Sequence, residues 1–181
     1  MPFPYSLDDY AEEVKDFITE NHLNKPSVIA HSFGGRIAIR LASKSPDLFD
    51  KIVLTGCAGL KPRRALKKSV KKLAFSVLKK FVKREKLTAF FSPDYLALDE
   101  VMKKSFVKIV AERLDGEIDK IQNRTLIING NKDKDTPLYM AKKLNRRIKN
   151  SRLSIYKGAG HFCFIDKPQK FNKEVEEFLN S

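Results

Sequence analysis

Val28-Ile29-Ala30-His31-Ser32-Phe33-Gly34-Gly35-Arg36 is the stretch that decides how this chain is read. Val28, Ile29 and Ala30 make an apolar run of the length of a buried strand. From Phe33 a helical pattern takes over, with Ile37, Leu41 and Ala42 on one face, and Pro46 stops it. A serine between strand and helix, flanked by small residues, sits where a nucleophile elbow would place it. The turn there is tight, and the helix N-terminus aims backbone N–H groups at developing negative charge. The spacing is that of G-x-S-x-G, with Ala30 in the place of the first glycine and Gly34 in the place of the second. The bland alternative is an ordinary junction in which Ser32 caps the helix. The stretch alone does not choose between them.

Outward from this point the periodicity alternates. Ser6 and Asp9 have the spacing of a capping box, and Leu7, Tyr10, Val14, Phe17 and Ile18 predict a helix over 6–22. Ile52-Val53-Leu54 predicts a strand broken by Gly56 and Gly59. Strands follow at Arg124 to Asn129 and Arg152 to Tyr156, and helices at Pro137 to Ile148 and Pro168 to Leu179. Such alternation predicts the α/β class, with a parallel sheet of about four strands and helices on both faces. Residues 61–122 interrupt it with helical patterns alone, a stripe from Leu66 to Val82 and a second helix over Leu98 to Leu114. The expected organisation is a core of 1–60 and 123–181 with a helical cap insertion over 61–122.

The bulk properties narrow the function classes. The chain has 181 residues, 42% of them hydrophobic, enough for one domain with a sizeable core. The net charge is +14, and residues 61–86 hold twelve Lys or Arg against Glu85, 12 − 1 = +11. The rest of the chain is nearly neutral, so the basic character belongs to one segment. That segment has no aromatic interleaving and no nucleic-acid motif, and no nucleic-acid partner is expected. It reads as a cap helix with a solvated lysine face; the second reading is weak association with an anionic membrane surface. No apolar run is long enough to span a membrane, and Met1 to Tyr10 lacks a signal-peptide pattern, so a cytoplasmic location is expected. Cys57 and Cys163 match no metal spacing and are expected to be free, space-filling thiols. No metal or organic cofactor is implied.

Two further loops carry groups that suit catalysis. Gly130-Asn131-Lys132-Asp133 follows a buried strand, which places Asp133 where ligand and catalytic groups gather in open α/β sheets. Asp135, two residues on, is a competitor, and both aspartates also suit a turn before Pro137. Gly158-Ala159-Gly160-His161-Phe162 follows the next strand, and its glycines let the loop approach its partners. Of the other histidines, His22 sits at a helix end and His31 packs or hydrogen-bonds locally beside Ser32.

The chain order Ser, Asp, His resembles the α/β-hydrolase superfamily, in its bacterial lipase, esterase and C–C hydrolase branch. The resemblance rests on Tyr5-Ser6-Leu7-Asp8-Asp9-Tyr10, His31-Ser32-Phe33-Gly34-Gly35-Arg36, Leu126 to Asp133, and Gly158 to Phe162. Asn129 stands where members often carry Trp. The resemblance implies a partial α/β-hydrolase fold, its strands equivalent to five through eight. It implies Ser32 as nucleophile, His161 as base, Asp133 as the acid with Asp135 as alternative, and the Phe33 N–H as an oxyanion donor. Phe90, Phe91, Tyr95 and Met102 are candidates to line an acyl pocket, a role that core packing would explain equally well.

The same resemblance implies roughly 70 to 90 further residues before the first helix, by the usual size of the fold. Those would carry four strands and the loop that gives the second oxyanion N–H. The strand at Val28 is then expected to be an open apolar edge. It would suit a complementing N-terminal polypeptide or self-association. Two functions are expected to compete: a serine hydrolase of small carboxylic esters, weak or inactive as this chain alone, and a non-catalytic fragment or interaction module.

Overall fold

The computed structural model describes residues 3–62 and 98–181. Strands β1 (Val28–His31), β2 (Lys51–Thr55), β3 (Arg124–Gly130) and β4 (Ser151–Tyr156) form one parallel sheet in the order β1-β2-β3-β4. The register pairs Val28 with Ile52, Ile52 with Thr125, and Leu126 with Arg152.

Alternation along the strands divides the core into two layers. Ile52, Leu54 and Ile127 face one layer with α1 (Leu7–Glu20), α2 (Phe33–Lys44) and α4 (Leu138–Arg147). Val53, Leu126, Ile128 and Tyr156 face the other, against Val175 and Phe178 of α6 (Pro168–Leu179). β2 and β3 are covered on both faces, which is why they read as continuous apolar runs. The remaining elements are α3 (Glu100–Ala111), a 3-10 turn at Ile118–Lys120, and the short α5 (Cys163–Asp166). Leu114, Ile118 and Ile121 pack into the first core layer, so the C-terminal end of the expected insertion is anchored in the sheet's own core. The predicted helix at 66–82 and the residues Phe90, Phe91 and Tyr95 lie outside the described residues.

Local signals act as expected. Ser6 Oγ accepts from the Asp9 N–H at 3.2 Å and the Asp9 carboxylate accepts from the Ser6 N–H at 2.6 Å, completing the capping box of α1. The C-terminal end of α3 is pinned to α2. Nη1 of the buried Arg36 donates to the carbonyls of Ile109 (2.9 Å) and Glu112 (3.2 Å), and Arg40 pairs with Asp8, Glu112 and Glu117. Among the described residues β1 pairs only with β2, and Ile29 is 52% exposed on this edge. No helix among the described residues is long and apolar enough to cross a membrane.

Candidate active site

In a parallel sheet the strand C-termini share one rim, and there β1 delivers Ser32, β3 Asp133 and β4 His161. Ser32 has φ 48° and ψ −107°, a conformation that costs a non-glycine residue about 1–3 kcal/mol. Hydrogen bonds hold it there: its N–H donates to the Thr55 carbonyl (3.0 Å), and its carbonyl accepts from Gly35 and Ala58 (3.2 Å each). The small residues have a steric cause. Any side chain on Gly35 would collide with Cys57, and one on Gly34 would reach the Ala30 methyl at 3.9 Å. Ala30 is accommodated in the first-glycine position because Gly34 faces it. Ser32 heads α2 without capping it through its side chain, so the bland reading of a capping serine does not hold. By helix geometry the first N–H groups of α2, Phe33 and Gly34, have no intrahelical acceptor.

The loops after β3 and β4 meet because of Gly130. A side chain there would overlap the carbonyls of Ala159 and Gly160. Lys132 N–H donates to the Ala159 carbonyl (2.9 Å), and Gly158 N–H to Asn131 Oδ1 (2.8 Å). His161 Nδ1 thereby lies 2.9 Å from Asp133 Oδ2. The Asp133 side chain is fully buried; Oδ1 accepts from the N–H groups of Asp135 (2.9 Å) and Thr136 (2.8 Å), and Oδ2 from Thr136 Oγ1 (2.7 Å). Burial alone would raise this carboxyl; the hydrogen bonds from His161 and Thr136 outweigh it and hold the group below the ordinary carboxylate range. A carboxylate only accepts, so His161 donates from Nδ1 and leaves Nε2 as an acceptor. Between the two aspartates, Asp133 meets the histidine, and Asp135 is exposed.

Asp133, Asp135 and His161 present potential ligand atoms within 4.8 Å of one another. Both oxygens of Asp133 are already engaged by protein donors, which fits an acid–base pair better than a cation cage. Among the described residues no hydrogen bond joins the Ser32 hydroxyl to His161. The ring of His31, the residue before Ser32, lies 4.7 Å from the His161 ring, so the histidine stands beside the elbow. Catalytic hydrogen bonds are often long before substrate binds.

A cavity of about 330 Å³ opens at Ser32 and Phe33. Tyr10 of α1 and Met102, Phe106, Ile109 and Val110 of α3 line it, so its wall is mostly apolar. Met102, a pocket candidate from the sequence, is among these lining residues, while Phe106 and Val110 were not singled out there. Four more residues escaped the sequence reading: Thr136, which ties down Asp133; Thr55, on whose carbonyl the elbow hangs; Arg36, which holds α3 at the cavity; and Gly56. The last has φ +50°, and a side chain there would meet His31 and His161 at 3.1 Å each. Thr55, Arg36 and Gly56 act through contacts distant in sequence, and Thr136 through a bond within its own turn; only Gly56 left a trace, as a strand breaker. Cys57 and Cys163 are free and buried. Burial pushes the Cys57 thiol up to about 12, so it is inert.

A parallel sheet carrying a strained serine at one strand end and a histidine–carboxylate pair at two others defines a class of α/β proteins built for hydrolysis. The chain belongs to the alpha/beta hydrolase family, whose sequence pattern matches residues 1–174. It is 27% identical over 200 residues to the AB hydrolase superfamily protein YisY of Bacillus subtilis, an alignment covering 98% of this chain and 75% of that protein. It is 23% identical over 196 residues to a 2-hydroxymuconate semialdehyde hydrolase of Pseudomonas putida, covering 97% and 69%. Among solved structures, an esterase from Exiguobacterium antarcticum shares the fold with a TM-score of 0.74 at 24% identity, covering 98% of this chain and 75% of that one. Family and relatives together indicate a hydrolase.

Proposed function

We propose that the chain is a serine hydrolase of small carboxylic esters, with Ser32 as nucleophile, His161 as general base and Asp133 as its orienting acid. The observation that carries this reading is the strained backbone of Ser32, φ 48°, held next to a histidine already committed through Nδ1 to a buried carboxylate. Strain of this kind persists only where the surroundings enforce it, and it lifts the hydroxyl off the helix axis toward the rim.

In the proposed reaction Nε2 of His161 removes the Ser32 proton as the hydroxyl attacks the acyl carbonyl. Asp133 holds the tautomer and stabilises the imidazolium. The orphan N–H of Phe33, at the positive end of α2, faces the developing oxyanion. His161 then protonates the departing alkoxide, and water releases the acyl group by the reverse sequence. The cavity beside Ser32 suits an uncharged, apolar acyl portion, and residues 61–122 act as its cap.

A fluorophosphonate phosphonylates an activated serine, and p-nitrophenyl esters report turnover. Labelling of the wild-type chain that disappears in Ser32→Ala supports the proposal. No labelling in a folded wild-type chain sinks it. The open edge of β1 favours a second reading, a module that acts by pairing with another polypeptide; a folded, unlabelled chain that binds a partner through this edge would establish it.

A further inference from the structure

His31 is a side chain at this rim that the proposed reaction does not use. Its Nδ1 lies 3.0 Å from the carbonyl oxygen of Thr55. A carbonyl only accepts, so Nδ1 carries the proton, and in the neutral ring Nε2 is a bare acceptor. That Nε2 is shut off from solvent and has no partner among the described residues. The same Thr55 carbonyl takes the backbone N–H of Ser32 at 3.0 Å. The His31 ring and the nucleophile's main chain therefore hang from one atom of β2.

From this anchor the ring extends to His161, with centroids 4.7 Å apart and planes at 51°. Phe162 and Phe164 press on it with centroids at 5.2 Å and 5.0 Å. Gly56 leaves the space through which the two imidazoles approach. A ring tied at one end and packed on its other sides has nowhere to rotate.

We infer that His31 is a positioning residue, a strut from the Thr55 carbonyl to the ring of His161 that keeps Nδ1 of His161 on Asp133 and its Nε2 on the open side. The catalytic meaning of this strut rests on the function proposed above; its geometry can be tested without it. The strut must be uncharged, because a cation there would oppose the imidazolium formed on His161 at each turnover. Burial lowers the proton affinity of His31 and the neighbouring His161 lowers it further, against weaker opposite pulls from the Thr55 carbonyl and the Asp133 carboxylate.

The test uses the full chain with ¹⁵N-labelled histidines. In the wild type at pH 7, His31 is expected as the neutral Nδ1–H tautomer, with ring-to-ring proton contacts to His161. His31→Asn keeps an amide donor for Thr55 but not the ring, and His31→Ala keeps neither. Both should lose the slowly exchanging Nδ1 proton of His161, and fluorophosphonate labelling should slow about 100-fold, the scale of a roughly 1 Å misplacement, while His31→Phe keeps a ring against His161 without the bond to Thr55 and should recover only part of the rate. A charged or Nε2–H His31 overturns the inference, as does a folded His31→Asn with the His161 proton and the labelling rate unchanged. If the truncated variants fail to fold, the wild-type tautomer and ring contacts decide: their presence supports the strut and their absence removes it. A wild type with these signals but no labelling sinks the hydrolase reading and leaves the strut standing.

Discussion

Asp133 meets His161 through one carboxylate oxygen, Oδ2 to Nδ1 at 2.9 Å, while the other oxygen takes the backbone N–H of Asp135 at 2.9 Å. The second aspartate therefore serves the first through its main chain and leaves its own carboxylate in solvent. Asparagine at 133 offers an amide N–H or a weaker acceptor to Nδ1 and disturbs the tautomer that leaves Nε2 basic. We expect Asp133→Asn to lower the rate of serine labelling by about 10³- to 10⁴-fold. Asp135→Asn keeps the backbone donor and should stay within about twofold, the scale of a surface substitution. Second-order labelling rates of both variants check this, and a reversed order would make Asp135 the acid.

The same carboxylate gives stability a pH dependence. Its folded-state affinity for protons is depressed, so it contributes stability that is fully present above the unfolded carboxylate range and lost as pH falls through the lower folded value. Urea midpoints of wild type and Asp133→Asn should therefore differ most near neutrality and converge below about pH 4, near the unfolded value for Asp. A gap that widens on acidification would contradict the assignment.

Gly56 separates stability from activity. Its φ of +50° makes Ala there cost about 1 kcal/mol, and the new methyl would reach both His31 and His161. A shift of the His161 ring by even a fraction of an ångström matters more to chemistry than to folding. Gly56→Ala should melt only a few degrees lower yet label about 10- to 100-fold more slowly. A large drop in melting temperature with unchanged labelling would show that Gly56 serves the strand end alone.

Much of this was legible in the sequence because the determinants are local. The run Val28 to Ala30, the pattern from Phe33 and the spacing of Gly34 fix strand, turn and helix within a dozen residues, and α1 announces itself through Ser6 and Asp9. Asp133 and Asp135 could not be told apart, because both lie in one turn and only the approach of the β4 loop selects between them. That approach depends on Gly130 facing the Ala159 and Gly160 carbonyls, a contact across about thirty residues. Thr55 and Arg36 escaped notice for the same reason: what they hold is distant along the chain. The short helix Cys163–Asp166 carries too few residues for a periodic pattern.

The lysine-rich stretch makes a prediction from charge alone. Twelve basic residues against one acid within residues 61–86 should bind anionic vesicles at low salt and release them as salt screens the attraction. Sedimentation with phosphatidylserine vesicles, at about 10 mM and 500 mM salt, measures it. No binding at low salt would leave the segment as a solvated cap face.

The β1 edge invites association. Its backbone has a partner on one side only among the described residues, and Ile29 shows 52% of its surface, next to a shallow surface formed with Phe171, Val175 and Leu179 of α6. An apolar edge with unpaired N–H and C=O groups is a template for another strand. We expect the isolated chain to self-associate in a concentration-dependent way, and Ile29→Lys to reduce this while leaving the fold intact, because the side chain already points to solvent and a lysine blocks edge-to-edge pairing. Light scattering with circular dichroism on both proteins decides the matter. Association that survives Ile29→Lys unchanged would place the contact elsewhere. A strictly monomeric wild type across the accessible range would show that the twist and shortness of β1 protect the edge without a partner.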